Sequence, residues 1–336
     1  MKIKNKLFSI TYYLLLIAFT VYVILDTFVI VRVYEPIMPP ESSSSYIPQQ
    51  TPAESAVQTP ASSEGRDTEH LEETPAESIS PDESEPTIDL SEPIITENSY
   101  KDNDIEITIH KYRVYESDVF VADIKLSSPE FLKTALAKNT YGKRVTEKTS
   151  TMAENNGAIL AVNGDYYGAR NEGLVFRNGN VYRSVPDKKR EALVIYKDGS
   201  LEVIAEKDAS IPELVSNGAY HVLSFGPGLL VDGEIVVNEK TEVAVAGVSN
   251  PRTAIGIIDD LHYLLVVSDG RTVVNRGLKL YEMAEFLQGM GVVTGYNLDG
   301  GGSATMWFNG KLVNNPTENG KEIKERSVSD IVYIGR

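Results

Sequence analysis

Residues 299–303 read Asp-Gly-Gly-Gly-Ser and combine the groups that polar-ligand chemistry requires. The aspartate supplies a carboxylate, the serine a hydroxyl, and Asn297 just before them an amide. Three successive glycines lose much conformational entropy on folding, so the run indicates backbone with positive φ or backbone packed against a neighbouring group. Bare amides beside side-chain acceptors suit a hydroxyl-rich or anionic ligand. The alternative is a glycine-rich hairpin corner without a ligand.

Polar residues beside glycine recur at the ends of other apolar segments. Asn163 precedes Gly164, and Asp269 precedes Gly270 and Arg271, while Arg252 and Arg326 add two further guanidinium groups. Guanidinium groups match phosphate oxygens in bidentate geometry, and paired carboxylates commonly cleave glycosidic bonds. The set therefore suits a ligand that contains both phosphate and sugar. Each arginine taken alone is more often a surface or ion-pair residue.

The segments that must position these groups predict a mainly β domain. Five dipeptide turns separate alternating apolar runs: Asn178-Gly179, Asp198-Gly199, Asp232-Gly233, Asp259-Asp260 and Asn309-Gly310. Apolar alternating runs also flank the glycine turn on both sides. We therefore expect an α+β fold with a mainly antiparallel or mixed β-sheet and a few packed helices.

Three helices are expected among these strands. Ser128 is the predicted cap of a short helix that begins with Pro129. A second helix is predicted over residues 145–155, and a third, with one apolar face, over residues 279–290. A buried strand at residues 158–162 leads directly into Asn163. Ordered structure is expected to begin near Asp104.

Composition excludes several common catalytic sites. The chain has no cysteine, so thiol catalysis, disulfides and thiolate metal sites are absent. Its four histidines are too few and too scattered for a mechanism that needs several imidazoles. The glycine turn lacks the lysine of a P-loop, and neither G-x-S-x-G nor H-E-x-x-H occurs.

The first hundred residues differ in composition from the rest. Residues 7–25 carry no charge and as a helix would extend roughly 28 Å, about one hydrocarbon core, with three lysines before them. Residues 35–100 are rich in Ser, Pro, Thr and Glu, with fifteen acidic residues and one basic residue. This composition predicts a cytoplasmic tip and transmembrane signal anchor at 1–34, a disordered linker at 35–100 and an extracellular domain at 101–336. A cleaved signal peptide is the alternative to the anchor.

The net charge of −16 does not indicate a nucleic-acid partner, because most of the excess acid lies in the predicted linker. The remaining domain is nearly neutral for its size.

Six motifs in the C-terminal part form a specific combination. They are A-V-N-G-D-Y-Y (161–167), S-F-G-P-G-L-L-V-D-G (224–233), N-P-R-T-A-I-G (250–256), V-V-S-D-G-R (266–271), G-L-K-L-Y-E-M-A-E-F-L (277–287) and N-L-D-G-G-G-S (297–303). In this order they resemble the phosphodiester glycosidase family, many bacterial members of which are labelled exopolysaccharide biosynthesis proteins. The resemblance covers about residues 158–336 and leaves out the predicted anchor and linker.

The resemblance implies hydrolysis of a sugar-1-phosphodiester with release of free sugar. It implies Asp299 as the main acid/base or nucleophile, with Asp269 either as its partner carboxylate or as a support for Arg271. Arg252 and Arg271 are expected to hold the phosphate, and Asn163 and the turn amides to orient sugar hydroxyls. The resemblance also implies binding roles for Gly226, Gly300, Gly301, Gly302 and Ser303, to which the polar pattern adds Asn297 and Arg326.

Cofactor and partner remain open at this stage. Asp269, Asp299 and Asn297 carry oxygen atoms of the kind that Ca²⁺ binds, although spacing alone does not establish a metal site. Outside the cell, the expected partner is a phosphate-linked carbohydrate or cell-wall glycan, such as a teichoic-acid-like or capsular polymer. Two alternatives are a non-catalytic protein that binds or scaffolds cell-wall or exopolysaccharide glycans, and a metal-dependent phosphodiesterase that cuts on the other side of phosphorus.

Overall fold

The structure is a computed structural model that describes residues 2–28, 32–37, 92–241 and 248–336. Most of the predicted linker, residues 38–91, lies outside the described residues. The described part contains the helices α1 (Lys2–Phe28), α2 (Thr149–Asn155), α3 (Ile211–Ser216) and α4 (Leu280–Gly289).

The remaining regular structure consists mainly of short strands. In chain order they are β1 (Arg32–Val33), β2 (Ile94–Ile95), β3 (Ser99–Lys101), β4 (Ile105–Val114), β5 (Ser117–Leu126), β6 (Leu132–Leu136), β7 (Gly142–Lys143), β8 (Glu147–Lys148), β9 (Ala158–Asn163), β10 (Val175–Arg177), β11 (Asn180–Arg183), β12 (Glu191–Tyr196), β13 (Leu201–Ala205), β14 (Ala219–Leu223), β15 (Gly228–Val231), β16 (Glu234–Ile235), β17 (Arg252–Asp259), β18 (His262–Ser268), β19 (Thr294–Asn297), β20 (Met306–Phe308), β21 (Lys311–Leu312), β22 (Ser327–Val328) and β23 (Asp330–Gly335).

These strands form three main sheets and two small ones. The largest sheet has nine strands in the order β16-β15-β19-β17-β18-β5-β4-β3-β2. Two five-stranded sheets have the orders β11-β10-β14-β12-β13 and β21-β20-β9-β23-β6, and the two-stranded sheets are β1-β7 and β22-β8. Every pairing between the described strands is antiparallel. The prediction of a mainly antiparallel α+β fold is therefore confirmed.

All five predicted turns join neighbouring antiparallel strands. They connect the hairpins β10-β11, β12-β13, β15-β16, β17-β18 and β20-β21. Asn178, Asp232 and Asn309, together with the glycine after each, have positive φ, as a type I′ turn requires. Local turn chemistry therefore fixes much of the sheet connectivity.

Strand β5 shows how the core is divided between two faces of the largest sheet. Phe120, Ala122 and Ile124 belong to a core that all three main sheets share. Val119 and Val121 lie in a second core, which α4 covers. Because successive side chains of a strand point to opposite faces, β5 is buried on both sides.

The predicted helices are present, with one change of boundary. Helix α4 buries Leu280, Met283 and Leu287, as its apolar face predicts. The predicted short helix is a 3₁₀ turn at Pro129–Phe131 with Ser128 as its cap. Helix α2 begins at Thr149 instead of residue 145, because β8 pairs with β22 just before it.

The N-terminal part departs from two predictions. The predicted apolar helix lies within α1. None of the helices in the described residues is long and apolar enough to cross a membrane. The transmembrane prediction is therefore not supported. The large sheet begins at Ile94, before the predicted start near Asp104. The reason is the ladder of β3 with β4, in which Tyr100 becomes buried.

Candidate active site

The glycine turn carries the chain from one sheet to another. Strand β19 before it belongs to the nine-stranded sheet, and β20 after it belongs to a five-stranded sheet. The two strands are not paired with each other, so the alternative of a simple hairpin corner is wrong. The turn therefore lies where the ends of two sheets meet.

Close neighbours explain the three glycines. A side-chain carbon at Gly300 would lie 2.7 Å from the carbonyl oxygen of Pro251, which is backbone and cannot easily move. At Gly301, where φ is +62°, it would lie 2.7 Å from Arg271 Nη2, and at Gly302 it would lie 2.8 Å from Arg326 Nη2. Glycine thus lets two guanidinium groups approach the main chain of the turn.

Asp299 is held by its backbone, and its carboxylate is left for the site. Its carbonyl oxygen accepts a hydrogen bond from Asn163 Nδ2 at 2.6 Å, and its amide donates to the carbonyl of Gly164 at 3.2 Å. The carboxylate oxygen Oδ1 accepts from the amide of Gly300 at 3.0 Å. The residue is half-buried, and the backbone contacts fix the position of its carboxylate.

Burial raises the pKa of Asp299 above its usual range. Ser303, Arg326, the amide of Gly300 and Arg170 act in the opposite direction and limit this rise in pKa. The buried Ser303 Oγ lies beside the carboxylate but has no hydrogen-bond partner of good geometry.

Two predicted arginines approach Asp299 from the side of the glycine turn. Arg271 donates through Nε and Nη2 to Asn250 Oδ1, at 3.2 and 3.1 Å, and through Nη1 to the carbonyl of Glu318 at 3.0 Å. Arg326 pairs with the carboxylate of Glu318 at 2.8 Å. Burial, followed by the charge of Arg326, lowers the pKa of Arg271, which places the two cations close together.

A third arginine, Arg170, was not predicted from the sequence. Its Nη1 donates to the carbonyl of Ser224 at 2.9 Å, and its guanidinium carbon lies 4.9 Å from the centre of the Phe225 ring. Burial and then the charge of Arg190 lower the pKa of Arg170, while Asp299 is among the acids that raise it. No glycine motif marks this residue, so the pattern used for the other arginines could not find it.

We call Asp299, Arg170, Arg271 and Arg326 the arginine cluster. The charges of Arg170 and Arg326 both act on the Asp299 carboxyl. Within the described residues, however, no ion pair of 4 Å or less joins Asp299 to an arginine. Protein acceptors other than Asp299 hold all three guanidinium groups, and one of them is the Glu318 carboxylate. Three fixed cations therefore stand against the carboxylates of Asp299 and Glu318, which leaves an excess of positive charge.

Arg252 lies behind the turn and bonds to the main chain. Its Nε donates to the carbonyl of Leu278 at 3.0 Å, and its Nη2 to that of Val248 at 3.2 Å. Burial, followed by the charge of Arg271, lowers the pKa of Arg252 to about 10. These contacts favour a positioning role, and the predicted contact with phosphate stays a prediction.

Asp269 is also occupied by protein contacts. Its Oδ1 accepts from Asn314 Nδ2 at 3.1 Å and from the amide of Asn315 at 2.9 Å, and its Oδ2 accepts from Asn315 Nδ2 at 3.1 Å. Asn314 also donates to the carbonyl of Ala304 at 3.0 Å, so Asp269 is linked to the end of the glycine turn. The contacts favour a positioning role for Asp269 over its predicted role as partner carboxylate.

Asn163 ties three chain segments together. Besides its bond to Asp299, it accepts at Oδ1 from Thr253 Oγ1 at 2.7 Å and from the amide of Thr305 at 3.2 Å. The side chain is fully buried. Its amide thus holds the loop of Asp299, which leaves the predicted contact with sugar hydroxyls without support from the geometry.

Asn297 and Gly226 form a neighbouring pair. Asn297 Nδ2 donates to the carbonyl of Gly226 at 2.8 Å, while its buried Oδ1 has no hydrogen-bond partner among the described residues. Gly226 has a φ of +76° and a cis peptide bond to Pro227. These two residues shape the wall next to Asp299.

Asp269, one of the residues considered for Ca²⁺, gives a cation site no support. Both oxygens of Asp269 already accept hydrogen bonds from Asn314 and Asn315. Within the described part of the chain, no group of three or more acidic or imidazole side chains is placed to hold a metal ion. We therefore derive no step through a metal.

A second charged group, which we call the buried ion cluster, consists of Asp165, Arg177 and Asp330. Arg177 Nη2 lies 2.8 Å from Asp165 Oδ2 and 2.6 Å from Asp330 Oδ2, with all three side chains buried. Burial, followed by the charge of Arg177 acting in the opposite direction, sets the pKa of Asp330 at about 8. An arginine in a buried strand just before a turn, Val-Phe-Arg-Asn-Gly, is the signal that could have revealed it.

Gly164 joins the two clusters. Its amide donates to the carbonyl of Asp330 at 2.9 Å, and its carbonyl accepts from the amide of Asp299 at 3.2 Å. A side-chain carbon at Gly164 would lie 2.5 Å from Asp330 Oδ1, so only glycine fits this contact. The buried ion cluster therefore supports the main chain that holds Asp299.

Comparison with known proteins gives consistent matches. A family model described as phosphodiester glycosidase matches residues 156–335. The chain is 28% identical over 199 residues to the SPbeta prophage-derived uncharacterized protein YomE of Bacillus subtilis, covering 58% of this chain and 30% of that protein. It is 30% identical over 198 residues to mouse N-acetylglucosamine-1-phosphodiester alpha-N-acetylglucosaminidase, covering 53% of this chain and 38% of that enzyme. The chain thus spans less than half the length of these two relatives.

The fold has a counterpart among solved structures. The catalytic domain of zebrafish N-acetylglucosamine-1-phosphodiester alpha-N-acetylglucosaminidase matches with a TM-score of 0.55 at 24% identity, covering 69% of this chain and 83% of that domain. At this identity the likeness concerns the fold. The family match, in contrast, extends over more than half of the chain and includes the glycine turn and the whole arginine cluster. The chain therefore belongs to the phosphodiester glycosidase family.

Proposed function

We propose that the protein hydrolyses sugar-1-phosphodiesters and releases the free sugar. The observation that carries this proposal is the arginine cluster, in which the half-buried Asp299 has fixed guanidinium groups around it but, within the described residues, no ion pair with them. A phosphate diester brings the negative charge that such an excess of cations attracts. The sugar carbon attached to that phosphate would then lie beside the carboxylate.

The chemistry of the leaving group determines which catalytic role each residue takes. When the bond between C1 and the phosphate oxygen breaks, the electron pair leaves with a phosphate monoester, which the guanidinium groups of Arg271 and Arg326 stabilise. Such a leaving group needs little help from a proton donor. We therefore place Asp299 on the carbon side, where it either accepts a proton from the attacking water or attacks C1 itself.

The raised pKa of Asp299 suits the first of these roles, because a base works best when its pKa lies near the working pH. The two roles predict opposite stereochemistry. A single displacement by water inverts the anomeric centre, whereas a covalent intermediate retains it. Proton NMR of the sugar at the first moments of the reaction distinguishes them.

The location of the activity is a proposal that rests on the sequence. Three lysines precede the apolar N-terminal run and an acidic segment follows it, which favours an N-terminus inside the cell and a C-terminal domain outside. Single-pass anchoring in the cell membrane is part of this proposal. There, phosphodiester-linked cell-surface glycans, including exopolysaccharides and cell-wall polymers, would be the substrates.

The test is incubation of the purified full chain with an ester of α-N-acetylglucosamine 1-phosphate, chosen because the mouse relative is named for this linkage. Free sugar is the expected product. Sugar phosphate would show cleavage on the other side of phosphorus, and binding without turnover across several sugars would show a glycan-binding protein. The variant Asp299→Asn should lose about 10³-fold in turnover. Asp260→Asn, which changes an exposed carboxylate in the β17-β18 turn, should keep full activity.

A further inference from the structure

A cavity of about 380 Å³ lies beside the arginine cluster and is not used by the proposed reaction. Its walls come from the segments 188–191 and 225–228, and Ala205, Lys207, Val236, Val237 and Thr241 complete them. This volume is within the usual range for small-ligand sites, so it can take a group of the size of a phosphorylated polyol.

The cavity is basic. Lys188, Lys189, Arg190 and Lys207 line it, and Glu191 is the acidic residue among the described lining residues. Of these cations, Arg190 pairs with Asp187 at 3.0 Å and Lys207 with Asp208 at 3.7 Å. The carboxylate of Glu191 already accepts a hydrogen bond from the amide of Gly228 at 2.8 Å. Lys188 and Lys189 are exposed and make no ion pair within 4 Å in the part of the chain that the structure describes. Their charge is therefore not neutralised by the protein.

A row of cations connects this cavity to Asp299. Arg190 Nη1 donates to the carbonyl of Phe225 at 2.7 Å, and the ring of Phe225 lies against Arg170 of the arginine cluster. Gly226, whose carbonyl accepts from Nδ2 of Asn297, two residues before Asp299, forms part of the cavity wall. The cavity and the arginine cluster therefore meet at residues 225 and 226.

We propose that this cavity binds a second phosphate of the same substrate, so that the protein prefers chains with repeated phosphodiesters over an isolated sugar phosphate. The inference rests on the proposed function and names its substrate class. One phosphate lies at Arg271 and Arg326 while the sugar is cleaved, and the next phosphate of the chain lies among Lys188, Lys189 and Arg190.

The test compares two substrates, of which the second carries one phosphate more. The first is a methyl ester of α-N-acetylglucosamine 1-phosphate, and the second carries glycerol phosphate in place of the methyl group. In the full chain, kcat/KM should be about tenfold higher for the second substrate, which is about 1.4 kcal/mol shared between two exposed lysines. This preference should weaken as salt rises.

Two matched double variants locate the effect. Lys188→Gln with Lys189→Gln should bring the ratio of the two kcat/KM values close to one and leave the methyl ester unaffected. Lys125→Gln with Lys197→Gln removes the same charge from exposed positions elsewhere and should keep the tenfold preference. Lys188→Arg with Lys189→Arg keeps the charge and should also keep the preference.

The failure of this inference differs from the failure of the proposed function. If both substrates are cleaved and the ratio of their kcat/KM values is the same in the wild type and in the glutamine double variant, the second phosphate site is overturned. The proposed function would still stand. Activation of methyl-ester turnover by inorganic phosphate, lost in the same variant, would also overturn it, because the ligand would then be free phosphate.

If neither ester is cleaved, the proposed function fails and the cavity is tested by binding. Calorimetric titration with a glycerol phosphate dimer and with glycerol phosphate should then show tighter binding of the dimer. The glutamine double variant should lose that difference. Equal affinities for the two probes in the wild type would overturn the inference.

Discussion

The buried ion cluster and the arginine cluster are joined through Gly164, yet they balance charge in opposite ways. In the first, one guanidinium group serves two carboxylates at 2.8 and 2.6 Å, with all three side chains buried. In the second, three guanidinium groups surround the carboxylate of the half-buried Asp299, and none pairs with it within the described residues.

The way in which charges are paired distinguishes a structural charge group from one that binds a ligand. Buried charges must be paired, and removal of one partner leaves an uncompensated charge in a medium of low dielectric constant. The guanidinium groups of the arginine cluster are held in place by other groups and do not contact the nearby carboxylate. Cations fixed in this way can bind an anion. Four predictions test this assignment.

The first prediction concerns Arg177→Met. This change leaves the Asp165 carboxylate buried without its cation and removes the guanidinium donors to the buried Asp330 carboxyl group, so the free energy of unfolding should fall by about 3–5 kcal/mol. Denaturant unfolding followed by circular dichroism measures it. Lys101→Met breaks an exposed ion pair with Glu106 and should change stability little. Equal losses in the two variants would contradict a structural role for the buried ion cluster.

The second prediction concerns Arg271→Gln in the arginine cluster. It removes a charge that the account places on the phosphate, so kcat/KM should fall about 10- to 100-fold, as expected for a hydrogen bond to a charged group. Thermal unfolding should show a much smaller loss of stability than Arg177→Met. If Arg271→Gln unfolds the protein and leaves the remaining folded fraction fully active, Arg271 belongs with the structural group.

Sequence reasoning succeeded where local rules act. The five hairpin turns, the apolar face of α4 and the buried strand that becomes β9 all follow from patterns within a few residues. The glycine turn was found because glycine is required by contacts that crowd the backbone itself. The residues grouped from separate motifs also lie together around that turn, which places Asn163, Arg271 and Arg326 against it.

Sequence reasoning was weaker where a side chain's partners come from distant parts of the chain. Nothing near Asp269 shows that Asn314 and Asn315, some 45 residues later, occupy its oxygens. Arg170 reaches Asp299 through tertiary packing and has no glycine beside it to mark it. Pairing of this kind depends on the fold, so one sequence cannot separate a reactive carboxylate from a positioning one.

The third prediction tests that separation at Asp269. In Asp269→Asn, an amide nitrogen replaces one of the two carboxylate oxygens that accept from Asn315. Two donors then face each other, so the free energy of unfolding should fall by about 1–3 kcal/mol. Activity should fall much less than in Asp299→Asn, because Asp269 positions the turn. Loss of turnover equal to that of Asp299→Asn, with unchanged stability, would restore Asp269 as the partner carboxylate.

The fourth prediction concerns pH. The folded protein keeps the Asp330 proton up to a pKa of about 8, whereas the unfolded carboxyl loses it near 3.8. Its contribution to stability is therefore complete below pH 4 and is lost as pH rises towards 8. The side chain in Asp330→Asn does not titrate in this range. The stability of the wild type should therefore decrease relative to that of the variant between pH 5 and pH 8. Parallel curves would contradict the raised pKa of Asp330.

The central claim is that Asp299 acts on the sugar while fixed arginines bind the phosphate, and the most direct test measures binding and turnover in Asp299→Asn. Removal of a negative charge from among three cations should leave the affinity for the uncleaved sugar-1-phosphodiester equal to or tighter than that of the wild type. Turnover should fall by about 10³-fold, and the melting temperature should stay within a few degrees. A variant that loses binding and turnover together, or that keeps its turnover, would contradict the account.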